Sequence, residues 1–271
     1  METLTIIIPE RMTGDRLDVA LSEMLPDYSR SKITAWIKSG DALINNKAFK
    51  PKDKVNGSQM VMLSLNKKQN NDWSAENIAL NIVFEDEDII VINKQFGIVT
   101  HPGAGNWTGT LANALLYYDP SLSKLDRAGI VHRLDKNTSG LMVIARNEKS
   151  QKYLIEQLQS HLVDREYSAI VYGHMIAGGT VDEPIGRDPK DRVKQAVSMS
   201  GKDATTHYRA IERFKSHTHV KAILETGRTH QIRVHLSYVG HSLIGDPTYG
   251  GRVRFPKKAS EELKDALVNF T

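Results

Sequence analysis

The sequence predicts an α+β fold with a mostly antiparallel, mixed sheet, preceded by a smaller separate domain. Short strand-like runs are joined by hairpin-type turns rather than by crossover helices, which is typical of antiparallel pairing. A polar stretch at residues 66–77 has no apolar periodicity and divides the chain unequally. Apolar residues make up 40 % and charged residues 25 % of the chain, as in ordinary globular proteins. We therefore predict a small domain at 1–65, a linker at 66–77 and a larger domain at 78–271.

The first part of the chain carries the signals of a small domain with two helices and a short sheet. A strand is predicted at residues 3–8, and apolar residues at helical spacing predict a helix over 15–25. Ser29 is a good N-cap for a second helix that ends before Gly40. Apolar runs at 42–44 and 60–63 lie near turn signals, and we interpret them as strands.

Positive charge is concentrated in this first part. Residues 28–54 contain seven basic and two acidic residues, a net +5, whereas the whole chain carries +4. Arg30 and Lys32 open the predicted second helix, where cations oppose the helix dipole. A phosphate bound at that end would explain their position. The alternative is a solvated basic face, and charge alone leaves both interpretations open.

The second part alternates strand and helix signals. Strands are predicted at 82–84, 89–92, 130–131, 141–145, 167–172, 204–214 and 219–225. Helices are predicted at 111–118, at 148–162 and at 259–268. A further helix is predicted between Thr229, its N-cap, and Gly240, which marks its end. The acidic run at 85–88 lies between two strands, and we interpret it as a solvated turn rather than a metal site.

Composition and motifs exclude several kinds of chemistry. The chain has no cysteine, so disulfides, Cys-ligated zinc, iron–sulfur clusters and thiol nucleophiles are excluded. No apolar run approaches the roughly 18 residues of a membrane span, and the run at 4–8 is too short for a signal peptide. We therefore expect a cytoplasmic protein that does not associate with membranes. His230 and His235 are five residues apart, which does not fit a zinc-binding helix, and we predict no metal site.

The densest polar cluster spans residues 129–140. His132, Arg133, Asp135 and Lys136 lie there between two apolar runs, which predicts a loop held by a strand at each end. Cations on both sides would keep Asp135 ionised, as a nucleophile or a base requires. A structural turn with internal ion pairs is the alternative interpretation.

Two further polar clusters lie near the end of the chain. The cluster at 225–235 places Arg233 in the first turn of a helix without a local acidic partner, and Asp135 is a candidate partner. The cluster at 245–251 is rich in turn residues and fits a purely structural role equally well.

Taken together, these clusters resemble a known family. Residues 132–141, His-Arg-Leu-Asp-Lys-Asn-Thr-Ser-Gly-Leu, resemble the signature motif of the pseudouridine synthases that act on large-subunit ribosomal RNA. The segments 165–167, 227–235 and 246–251 match further motifs of that family in the same order. Within the family, the chain is most similar to the bacterial type D branch. The first domain resembles the alpha-L-type RNA-binding domain, through Arg16-Leu17-Asp18, Ser29-Arg30-Ser31, Ile33 and Gly40.

The resemblance implies a role for individual residues. Asp135 matches the essential aspartate of the family, Tyr167 the tyrosine that stacks on the target base and has been proposed as a general base, and Arg233 the basic partner of the aspartate. Arg133 matches a residue that enters the RNA stack as the uridine flips out. RNA binding is further expected from His132, Arg228, Arg30 and Lys32. The implied reaction needs no metal or other cofactor.

Several alternatives remain open at this point. Asp135 either attacks carbon C1′ or C6, or removes the C2′ proton. The chain could instead be an RNA-binding or ribosome-assembly factor without activity, or a nuclease that uses His132 or His230. We expect a monomer whose partner is large-subunit ribosomal RNA or a pre-ribosomal particle. Members of the family continue past the 246–251 motif, so we expect this chain to be short at its C-terminus.

Overall fold

The computed structural model describes residues 2–26, 28, 30–65, 73–103, 105–191 and 193–270. The chain forms two compact units, Met1–Asn70 and Asn71–Thr271. Both mix helices with antiparallel sheets, which confirms the predicted fold class. Within the described residues, no helix is long and apolar enough to cross a membrane.

The first unit is a four-stranded antiparallel sheet covered by two helices. Its strands are β1 (Glu2–Ile7), β2 (Ala42–Ile44), β3 (Lys47–Ala48) and β4 (Met60–Leu65), in the order β1-β4-β2-β3. The helices are α1 (Leu17–Met24) and α2 (Arg30–Ser39). Leu17, Leu21, Ile33 and Ile37 recur at helical spacing and are buried against Leu63 and other sheet residues.

The second unit begins with a three-stranded sheet. Strands β5 (Ile82–Glu85) and β6 (Ile89–Lys94) form the predicted hairpin, and β7 (Gly140–Ala145) pairs with β6. Helix α3 (Leu111–Tyr118) packs its apolar residues on this sheet, and α4 (Glu148–Gln159) follows β7. The described part of the predicted linker, residues 73–77, packs here as well: Trp73 contacts the core, and the Asn113 amide donates to the carbonyl of Ser74.

A four-stranded sheet completes the second unit. Its order is β8-β13-β12-β9, from β8 (Glu166–Tyr172), β9 (Gly179–Asp182), β12 (Thr205–Arg213) and β13 (His217–Leu224). Strands β10 (Ile185–Arg187) and β11 (Gln195–Val197) form a separate hairpin. Helix α5 (Gln231–Tyr238) covers one sheet face through Leu236, and α6 (Glu261–Asn269) packs Leu267 near Ile170 and Tyr172.

Three element predictions were wrong in detail. Residues 130–131 form no strand; Ile130 makes only an isolated bridge to Ile144. The helix predicted over 148–162 ends at Gln159, because the chain turns into the left-handed region at His161. The N-cap of α5 is His230 rather than Thr229. Strands β9, β10 and β11 were not predicted, since runs of three or four residues carry little alternation.

Candidate functional site

The loop that carries Asp135 is held on both sides of that residue. The buried Thr100 hydroxyl donates to the carbonyl of Leu134 at 2.7 Å. The carbonyl of Lys136 accepts the Gly97 N–H at 2.9 Å and the Lys94 ammonium at 3.3 Å. The backbone is therefore held at the residues on either side of Asp135.

Lys94 is a buried ammonium group at the end of β6 that the sequence analysis missed. Its Nζ donates to the carbonyls of Gln95 and Ile98 as well as that of Lys136, so three acceptors meet its three N–H groups. Burial lowers its pKa to about 8, although the nearby charge of Asp135 opposes that shift. A charged residue that ends an apolar strand was the only signal for it in the sequence.

Asp135 meets Arg233 as the sequence predicted, although 98 positions separate them. Arg233 Nη1 donates to Asp135 Oδ2 at 3.0 Å, and both side chains are largely buried. The geometry therefore pairs the loop carboxylate with a cation from the first turn of α5.

Asp246 anchors the other side of the same guanidinium. Arg233 Nε and Nη2 donate to its two carboxylate oxygens at 2.7 and 2.9 Å, a bidentate arrangement. The backbone N–H groups of Thr248 and Tyr249 also donate to Asp246. Burial alone would raise the pKa of Asp246, but the hydrogen bonds and charge of Arg233 lower it overall. The turn signal at 245–251 indicated the local Asp246 contacts but not its ion pair.

Two rings lie beside this chain of charges. Tyr249 packs its ring against the Arg233 guanidinium, 5.0 Å from the ring centroid. The Tyr249 hydroxyl lies 2.8 Å from Nδ1 of His230, and Nε2 of His230 lies 3.8 Å from Asp135 Oδ2. His230 has left-handed backbone geometry, with φ near 60°, at the N-cap of α5. The tight turn into α5 thus brings His230 near the carboxylate oxygen that Arg233 binds.

Tyr167 extends from β8 and packs, half-buried, against the core around α3 and β7. Burial raises its pKa; the charge of Asp135 adds to that rise, while Arg165 opposes it. Tyr167 therefore keeps its phenolic proton at neutral pH and lies near enough to Asp135 to feel its charge.

The Arg165 side chain lies near Tyr167, and Arg228 lies near Arg165. Arg165 donates to the carbonyl of Glu225, and Arg228 donates from Nε to the carbonyl of Asp203. Burial lowers the pKa of Arg165, and repulsion from the charge of Arg228 adds to that shift. Arg133, on the loop that carries Asp135, is exposed. The arrangement gives the vicinity of Tyr167 a positive charge suited to RNA phosphates.

The structure gives His132 a contact inside the protein. Its Nε2 accepts the N–H of Val143 in β7 at 3.0 Å, so the ring is a neutral acceptor that ties the loop to the sheet. Burial, followed by the charge of Arg165, lowers its pKa to about 4.

In the first unit, Arg30 meets a carboxylate. Asp18, whose side chain is only 6 % exposed, accepts Nε and Nη2 of both Arg16 and Arg30 at 2.9–3.3 Å. Both guanidinium groups remain about half exposed. The predicted phosphate is therefore not needed to explain Arg30 at the start of α2. The Lys32 side chain and Ser29 lie outside the described residues.

Comparisons with known proteins agree with this geometry. A family described as RNA pseudouridylate synthase matches residues 88–238, and the S4 domain matches residues 15–61. The ribosomal large subunit pseudouridine synthase D of Escherichia coli (strain K12) is 52 % identical, over 98 % of this chain and 82 % of its own length. The protein of the same description from Xanthomonas campestris is 47 % identical, over 97 % of this chain and 80 % of its own.

Solved structures of the same family are also similar. The human RNA pseudouridylate synthase domain containing 1 superposes with a TM-score of 0.54 at 27 % identity, over 65 % of this chain and 71 % of that chain. The human RNA pseudouridylate synthase domain containing 4 superposes with a TM-score of 0.53 at 28 % identity, over 69 % of this chain and 76 % of that chain.

Proposed function

This chain belongs to the RNA pseudouridylate synthase family, and we propose that it isomerises specific uridines of large-subunit (23S) ribosomal RNA with Asp135 as the catalytic carboxylate. The observation that carries the proposal is the buried chain of charges from Asp135 through Arg233 to Asp246. The names of the type D relatives support the choice of RNA.

The reaction exchanges one glycosidic bond for another within the same nucleotide. The N1–C1′ bond breaks, the uracil turns, C5 bonds to C1′, and the proton lost from C5 is balanced by the proton gained at N1. The exchange is an isomerisation in which no electrons enter or leave. In our proposal, Asp135 supplies the anionic carboxylate that acts at the sugar. Arg233 stabilises the Asp135 anion at Oδ2, and the contacts of the surrounding loop restrict its movement.

The target base has to leave the RNA stack before this chemistry, which costs a few kcal/mol. In our proposal, Tyr167 receives the flipped uracil on its ring, and its raised pKa favours stacking over the role of general base. Arg133 enters the gap in the RNA, and Arg228 binds phosphate. His132 shapes the loop through its contact with Val143 instead of binding RNA directly.

The first unit carries the S4 domain, and we propose that it binds the RNA backbone through Arg16 and Arg30. Asp18 orients both guanidinium groups while their outer halves face solvent. From its charge and its place in the sequence of α2, we propose that Lys32 also contributes to RNA binding. A salt titration of RNA binding tests it: Arg30→Ala should weaken binding and flatten the slope of log K against log [salt] by about 1. Lys264→Ala, on α6, is the matched control. An unchanged slope for Arg30→Ala would show that Arg30 is a solvated surface residue without a role in RNA binding.

The proposed reaction is tested by Asp135→Asn, which keeps the shape of the side chain and removes its charge. We expect the variant to fold and to form no pseudouridine in unmodified 23S RNA transcribed in vitro, as mapped by pseudouridine-specific chemistry. Glu261→Gln, in an exposed ion pair on α6, should retain wild-type activity. Pseudouridine formed by Asp135→Asn at the wild-type rate would refute the catalytic assignment.

The same assay distinguishes the other two functions. An RNA-binding or assembly factor would retain the RNA without modifying it, and a nuclease would shorten it. Large-subunit RNA is assembled in the cytoplasm of bacteria, and we propose that the protein acts there as a monomer.

A further inference from the structure

The hydrogen bonds around His230 determine which of its nitrogens carries the proton. The Tyr249 hydroxyl oxygen accepts the backbone N–H of Gln195 at 2.9 Å and lies 2.8 Å from His230 Nδ1. Within the part of the chain that the structure describes, no other acceptor contacts this hydroxyl. Its proton therefore points to Nδ1, which leaves the imidazole proton on Nε2.

The carboxylate at the opposite end of the ring favours the same tautomer. Nε2 lies 3.8 Å from Asp135 Oδ2, and an unprotonated Nε2 would direct a lone pair at that negative charge. The charged and titratable groups that face the ring are Asp135 and Arg133 of the catalytic loop, Arg233 of α5, and Asp246 and Tyr249 of the following loop. Burial outweighs the two carboxylates among them and keeps the imidazole neutral at pH 7, because it lowers the pKa of His230.

We propose that His230 is a positioning residue of the isomerisation: Tyr249 holds it in the Nε2–H form, and this N–H joins Arg233 on Asp135 Oδ2. Two donors on Oδ2 leave Oδ1 as the oxygen that faces the sugar. In the enzyme–RNA complex the 3.8 Å gap closes to a hydrogen bond, as active-site contacts commonly tighten around substrate. The role is the same whether Asp135 attacks carbon or removes the C2′ proton.

The inference also links the active site to the β10–β11 hairpin. Gln195 lies in β11, and its N–H fixes the Tyr249 hydroxyl that in turn fixes His230. A displacement of this hairpin would therefore remove one of the contacts that hold the Tyr249 hydroxyl beside His230.

The first test reads the tautomer directly and needs no activity. In the full chain labelled with ¹⁵N-histidine, a long-range ¹H–¹⁵N spectrum at pH 7 should show His230 neutral and protonated at Nε2, with the signal assigned by its loss in His230→Gln. Tyr249→Phe should raise the fraction of the Nδ1–H tautomer, because only the carboxylate of Asp135 then favours Nε2–H. A His230 protonated at Nδ1 in the wild-type protein, or an unchanged tautomer in Tyr249→Phe, would overturn the inference.

The second test separates positioning from mere structural support. His230→Ala should lower kcat on 23S RNA about ten-fold, the equivalent of one hydrogen bond to a charged group, with KM unchanged. His230→Gln, whose amide N–H can reach the position of Nε2, should restore most of kcat. His219→Gln, outside the site, is the matched control. The inference would be overturned if His230→Ala had wild-type kcat. It would also be overturned if His230→Gln unfolded at the wild-type temperature and yet did not restore kcat.

This inference rests on the proposed role of Asp135, and the two can fail separately. If the proposed function fails, the wild-type protein makes no pseudouridine or Asp135→Asn still makes it. If only the role of His230 fails, those controls behave as proposed while the His230 variants do not. If His230→Ala does not fold, His230→Leu and Tyr249→Phe provide the same comparison with His230→Gln.

Discussion

The strongest consequence of the geometry concerns Asp246, a residue that does not touch the substrate in our proposal. Its side chain is only 5 % exposed and accepts four N–H groups, two from Arg233 and two from the backbone of the following turn. Asp246→Asn keeps the volume of the side chain and removes its charge. The amide oxygen can still accept from the turn and from Arg233 Nη2, but the amide N–H₂ then faces the Nε–H of Arg233.

The magnitude follows from the loss of one partner of a buried ion pair. Such a loss costs roughly 3–5 kcal/mol, since the remaining charge is left buried and only partly compensated. Arg233 keeps its bond to Asp135, which places the expected loss near the lower limit, about 3 kcal/mol. The guanidinium also loses the bidentate contact that fixes its plane, so we expect kcat to fall at least about ten-fold.

Urea unfolding of the second unit and single-turnover pseudouridine formation measure these two effects. Glu261→Gln provides the control, because it removes a carboxylate from an exposed pair within α6 and should cost less than about 1 kcal/mol. If Asp246→Asn loses no more stability than the control and retains wild-type kcat, Asp246 does not hold Arg233 in place.

Three further predictions follow from single contacts. Lys94→Met removes the ammonium behind Asp135 and should lower both kcat and the free energy of unfolding, the latter by about 1–3 kcal/mol in a urea titration. His132 has its pKa lowered to about 4, so the unfolded chain takes up its proton at higher pH than the folded one, and stability should fall as the pH drops from about 6.5 to 4. His132→Gln, which keeps an acceptor that does not titrate, should flatten this fall between urea titrations at pH 7 and 4.5. Gly129→Ala places a Cβ in steric conflict with the carbonyl oxygen of Ala145 at a φ of 77°, so thermal unfolding should show a loss of stability above about 2 kcal/mol.

Much of the local structure could be predicted because local patterns determine it. Apolar residues at helical spacing and a terminal glycine marked α2, and alternation with turn residues marked the β5–β6 hairpin. The prediction failed where tertiary contacts override a weak local preference. Ile130 forms a bridge rather than a strand because three residues before it, from Arg127 to Gly129, adopt left-handed backbone geometry.

The candidate site could be predicted only in part. The cation that pairs with Asp135 was found because Arg233 lacked a local acidic partner, which is a property of the sequence. Lys94 gave almost no signal, because a single lysine after an apolar strand is usually a solvated end. Its contacts come from three carbonyl groups, and no residue type marks a carbonyl in a sequence.

The sequence by itself determined the class of fold, the family and the residues that carry charge near the loop of Asp135, since these depend on residue type and spacing. The tertiary structure decided which oxygen of Asp135 is held, which anion fixes Arg233, and that Asp18 orients Arg16 and Arg30. Asp135 and Arg233 are 98 positions apart, so their contact depends on how the loop before β7 and the first turn of α5 are brought together. Hydrogen-bond direction is a property of that three-dimensional placement, and residue order does not contain it.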